Sequence, residues 1–140
     1  MENTYFLISI LGPICLIFSL STLIYVKVWQ KVLDSWLKNH LLLLPLMYME
    51  LIFGVLIVYF HNVWVWDLKT LIVTILGWDM VLESSLYFLF PGSFIKWALK
   101  IGKTTAVLVI GGLIGTAIGL YFCYLAHYET IVTAIQGVLQ

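Results

Sequence analysis

Four runs of about 20 mostly apolar residues, 5–26, 41–60, 70–90 and 104–124, leave this 140-residue chain few ways to fold. About 20 such residues carry an α-helix across the hydrocarbon core of a bilayer. In lipid each backbone N–H and C=O must be satisfied within the protein, which favours helices over open strands. The composition points the same way. The chain is 63% hydrophobic and 10% charged, with a mean hydropathy of +1.07, against about 45–50% and about 25% in soluble domains. A water-soluble fold of this size could not hide so much apolar surface. The expectation is an all-α, polytopic integral membrane protein, a single transmembrane domain over residues 1–140. Its first run lacks a positive leader, carries Glu2 and reads as a permanent span. Pro13 follows Gly12 in that span, Pro45 opens the second, and Pro91 ends the third.

The connections fix an expected orientation. Lys27, Lys31 and Lys38 fall between spans one and two, and Lys96, Lys100 and Lys103 between spans three and four. Only Lys69 lies in the middle loop, and the chain has no Arg. By the positive-inside rule the first and third connections are cytoplasmic, and both termini face the other side. Both connections read as amphipathic helices. In KVWQKVLDSWLKN, Trp29, Val32, Leu33, Trp36 and Leu37 recur at helical spacing, opposite Lys27, Lys31, Asp34 and Lys38. In SFIKWALKIGK, Phe94, Ile95, Trp97, Leu99 and Ile101 are expected to face lipid. Cationic faces with embedded Trp suit anionic lipid at the cytoplasmic surface.

Within this apolar setting three carboxylates stand out. Asp79 and Glu83 share one face of span three at i, i+4, with no Lys within nine residues of either. Glu50 lies at matching depth in span two. Eleven Leu, Ile, Val and Phe residues in 70–90 favour insertion by about 3–7 kcal/mol, and one ionised Asp near the centre costs about 2.5–3.5. An isolated, doubly ionised span three is therefore marginal. It must bury this face, take up protons or bind a cation. Glu50, Asp79 and Glu83 are the candidate proton or cation site, with Ser84 and Ser85 as supporting hydroxyl donors.

Other features carry narrower expectations. Gly111, Gly115 and Gly119 in span four form a small-residue strip for close helix packing, within the chain or between copies. His61, Asn62, Trp64, Trp66 and Asp67 make a polar and aromatic outer loop at the water boundary. Scattered His61, His127, Asp67 and Glu129 lack metal-ligand spacing, so no metal is expected. Cys15 and Cys123 read as small apolar side chains. No cofactor or nucleic-acid partner is indicated. No catalytic triad, metal quartet or phosphate loop can be assembled, so an enzyme is not expected.

The HNVWVWD loop, the Gly77-Trp78 pair in the following helix and the closing Leu89-Phe90-Pro91 resemble a group of small, uncharacterised four-span bacterial inner-membrane proteins. In those the HN-x-W-x-W-D loop also precedes a GW-containing helix. The resemblance covers residues 54–91 and implies an inner-membrane location but no activity. The expected function is a proton- or cation-linked transporter or channel, forming a homo-oligomer or joining another membrane protein. The alternative is an accessory subunit or assembly factor of a larger membrane complex.

Overall fold

The computed structural model describes residues 2–90 and 92–138, with side chains for residues 4–128 except His40, Pro91 and Ser93. Pro91 and the side chain of Glu129 thus lie outside the described residues. The described chain is all-α: α1 (Glu2–Ile24), α2 (Val26–Lys38), a 3-10 turn (His40–Leu43), α3 (Leu44–Phe60), α4 (Leu68–Leu89), α5 (Ser93–Gly102) and α6 (Thr105–Val138). Four stretches are long and apolar enough to cross a membrane: Thr4–Ile24, Leu41–Phe60, Leu68–Leu89 and Thr105–Tyr128. This is the architecture of a multi-pass membrane protein. α1 is assigned helical through Pro13, and Pro45 sits in the first turn of α3, where its missing N–H leaves no helical bond unmade.

Close backbone approach organises the spans into two pairs, α1 with α6 and α3 with α4. Lipid tails are as apolar as leucine, so helices in a bilayer associate through tight packing at small residues. A Cβ at Gly54 would lie 2.9 Å from the Val81 amide nitrogen, and one at Gly77 would lie 2.6 Å from Ile57 Cγ2. On the other pair, a Cβ at Gly119 would stand 2.7 Å from the Leu16 amide nitrogen, one at Gly115 2.9 Å from Ser19 Cβ, and one at Gly112 2.7 Å from Leu23 Cγ. The expected strip is therefore shifted. Gly115 and Gly119 pack as expected, but Gly112 completes the row, while Gly111 has open space where its side chain would be. A four-residue repeat drifts by about 40° per step on a helix of 3.6 residues per turn, so one member rotates off the seam.

Two apolar clusters lie at opposite ends, and the first of them ties the two pairs together. Near the 61–67 loop, Ile8, Ile57, Val73 and Phe122 are buried among Leu11, Leu76 and Ile118. At the lysine-rich end, Leu43, Tyr87 and Ile95 are buried with Trp36, Met47 and Leu99 around them. Here the reading of α5 needs correction. Ile95 and Leu99, four residues apart, turn inward onto Tyr87 and Leu43, and only Trp97 and Ile101 of that set are exposed. α2 and α5 therefore form a layer across this end. It is pinned where Lys103 Nζ reaches Asp34 Oδ1 at 2.8 Å and Gln30 Nε2 donates to the Lys103 carbonyl and to Thr105 Oγ1.

Candidate functional site between the two clusters

Glu50 and Glu83 occupy the interval between the apolar clusters, and Asp79 stands between Leu76 and Met80 at the edge of the first. Glu50 lies on α3 between Met47 of one cluster and Ile57 of the other. Asp79 and Glu83 lie on α4 between Val73 and Tyr87. α4 has 22 residues, and Asp79 stands near its midpoint, about 16 Å from Leu68 at 1.5 Å per residue.

Their surroundings differ. Glu50 is half-buried on the same stripe of α3 as Gly54 and Ile57, the seam that meets α4. Asp79 and Glu83 are its charged neighbours. Glu83 lines a cavity of about 140 Å³ with Trp36, Met47, Tyr87 and Leu99, beneath the α2–α5 layer. The residue as a whole is exposed. Asp79, two residues from the closely packed Gly77, projects away from the α3 seam and is exposed. The three do not gather as three ligands around one metal ion, and no such group occurs among the described residues. No lysine pairs with them. Both ion pairs of the described residues, Asp67–Lys69 and Asp34–Lys103, lie elsewhere.

Of the two supporting serines, Ser84 spends its hydroxyl on its own helix. Ser84 is fully buried on the packed side of α4, and its hydroxyl donates to the Met80 carbonyl one turn back. Such back-bonding satisfies a serine in an apolar helix without a side-chain acceptor. Ser85 is half-buried beside it. Tyr87 and Trp36, at the Glu83 recess, were missed by the sequence reading. Both belong to ordinary helical stripes, and the approach of α2 to α4 depends on tertiary packing.

At the other end the 61–67 loop is folded rather than loosely wetted. His61 is only 2% exposed, tucked under the loop rather than wetted. Its backbone N–H closes α3 onto the Ile57 carbonyl at 2.7 Å, and this turns the ring inward toward the Thr70 carbonyl, 3.4 Å from Nε2. Asn62 Oδ1 accepts from Trp64 Nε1 at 2.8 Å and from Trp78 Nε1 at 3.3 Å, tying the loop to the GW helix. Trp64 and Trp66 are exposed. Asp67 caps α4, accepting from the Thr70 hydroxyl at 2.6 Å and from Lys69 Nζ at 3.0 Å. Those bonds hold its carboxyl below the usual carboxylate range, the Thr70 hydroxyl contributing most.

No protein-family model, curated protein or solved structure matches this chain.

Proposed function

We propose that this chain is a bacterial inner-membrane protein that exchanges protons through Glu50, Asp79 and Glu83, as the proton-handling unit of a transporter or channel. One observation carries the reading. Three carboxylates lie along the middle of two membrane-length helices, and none of them is in an ion pair with a lysine among the described residues. Ionised acids at that depth are costly, and a proton is the simplest counter-charge. Their dispersion favours a proton over a metal ion held by all three at once. Glu83, in its recess under α2 and α5, is the group nearest the lysine-rich face, which the positive-inside rule assigns to the cytoplasm. Both termini then lie on the other side. The working unit is a homo-oligomer or a complex, since the α3–α4 seam is closed by Gly54 and Gly77.

Proteoliposome proton flux tests this, comparing wild type with Glu50→Gln, Asp79→Asn and Glu83→Gln. Loss of flux in at least one variant that still inserts and folds is the expected result. Absence of flux in wild type, or equal flux in all four proteins, removes the proposal.

The exposure of Asp79 near the midpoint of α4 supports a second reading. An accessory subunit or assembly factor would cover that carboxylate with a basic residue of a partner helix. Co-purification of a second membrane protein that is lost in Asp79→Asn, without any flux, would favour it.

A further inference from the structure

Away from the acids, an open groove of about 520 Å³ runs between α1, α2 and α6. Its walls are apolar and come from spans, Ile14 and Phe18 on one side and Val107 and Leu108 on the other, with Gly111 and Gly112 as its floor. Trp29 and Trp36 of α2 lie across it. Trp29 is held there by its indole N–H on Ser21 Oγ at 3.2 Å and by its ring against Phe18, centroids 4.9 Å apart. The groove lies beneath α2, whose opposite face carries Lys27, Lys31 and Lys38; these and Lys96 and Lys100 of α5 are exposed and in no ion pair among the described residues. Lys103, next to the groove-lining Gly102, is the one lysine of that layer held by an acid.

We propose that this groove is a specific site for one anionic phospholipid, an acyl chain lying along Gly111 under the two indoles and the headgroup among the lysines. Two features of the groove select this occupant. The lining is apolar and opens sideways from membrane-spanning helices, which suits a hydrocarbon chain. The charge over it is an excess of ammonium groups, which suits a phosphate carrying net negative charge. Leu33 and Trp36 line both this groove and the Glu83 recess, but no carboxylate lines the groove, so the proposal does not depend on proton exchange at the acids. Gly111 is the telling position, because a side chain there meets no atom of the protein and would fill the groove.

The test is native mass spectrometry of the protein extracted in mild detergent, with bound phospholipid counted by class. Wild type should retain about one anionic phospholipid per chain. Gly111→Leu should retain at least tenfold less while keeping its helicity and oligomeric state. The double variant Lys27→Gln/Lys31→Gln should lose headgroup preference by about fivefold per lysine, the equivalent of about 1 kcal/mol each. As a check that does not rely on those variants folding, delipidated wild type is mixed with vesicles of chain-brominated phosphatidylglycerol or phosphatidylcholine. The Trp emission lost on Trp29→Phe/Trp36→Phe substitution should be quenched by the first lipid far more than by the second. Wild type carrying no lipid, or carrying lipid in the proportions of its membrane, overturns the proposal. So does full retention by Gly111→Leu, or equal quenching by both lipids.

Discussion

Gly77 and Ile57 meet so closely that a methyl group on the glycine would stand 2.6 Å from Ile57 Cγ2 and 3.2 Å from its Cβ. A β-branched side chain has few rotamers on a helix and cannot swing aside. Gly77→Ala should therefore destabilise the α3–α4 pair by about 1–3 kcal/mol. Ile57→Ala in the same chain should recover part of that loss, because the clashing methyl is gone. Reversible unfolding in mixed micelles checks both, and simple additivity of the two changes would contradict the contact.

Two glycines of α6, Gly119 and Gly111, should behave in opposite ways. Gly119→Ala pushes a methyl into the backbone of α1 at Leu16, and only separation of the helices can relieve it. A loss of at least about 2 kcal/mol is expected, at the upper part of the overpacking range. Gly111→Ala meets nothing and gains helix propensity, so it should be neutral or stabilising by up to about 1 kcal/mol. The same unfolding assay distinguishes them.

Asp67→Ala removes the N-cap of α4 and should cost about 1 kcal/mol. The carboxyl sits below its ordinary value of 3.8 because the Thr70 hydroxyl and Lys69 favour the ionised form. A lowered folded value means that this stabilisation is present above about pH 4 and is lost as the pH falls through the still lower folded value. Asp67→Asn retains a capping oxygen but should abolish that acid-sensitive component, read as hydrogen exchange at Thr70 between pH 5 and the acid limit.

The α2–α5 layer is held by two kinds of bond with different weights. The Asp34–Lys103 pair is partly exposed, and Asp34→Asn should change stability by less than about 1 kcal/mol. Gln30 joins α2 to two groups at the α5–α6 turn, at 3.0 and 3.1 Å. Gln30→Ala should cost about 1 kcal/mol and speed protease cleavage near the start of α2. Equal cleavage of Gln30→Ala and wild type would argue against this anchor.

Much of the architecture was written in periodicity. The four apolar runs became α1, α3, α4 and α6, and the Trp-and-Lys pattern of KVWQKVLDSWLKN became α2, within a residue or two at most ends. Side-chain direction was harder. Ile95 has the spacing of a lipid-facing residue, but its burial follows from the position of Tyr87 and Leu43, which no local pattern encodes. His61 looked like a polar boundary residue because its neighbours Trp64 and Trp66 are exposed. Its burial depends on where the chain turns after α3. The position of the carboxylates along their helices was legible from helical rise alone, but their separate environments were not. Glu50 meets a partner helix, Glu83 a recess and Asp79 neither, and this depends on which faces Gly54 and Gly77 press together.

The uneven distribution of the two clusters has a mechanical consequence. All four spans contribute to the apolar cluster beside the 61–67 loop, whereas at the opposite end an open groove runs between α1, α2 and α6, bridged by Trp29 on Ser21 and by Gln30 on Thr105. Local opening costs least where buried contacts are fewest. Breathing of this molecule should thus resemble a clothes-peg, its spring at the HNVWVWD side and its jaws parting under the tryptophans of α2, with amide protection fading from one face of the bilayer to the other.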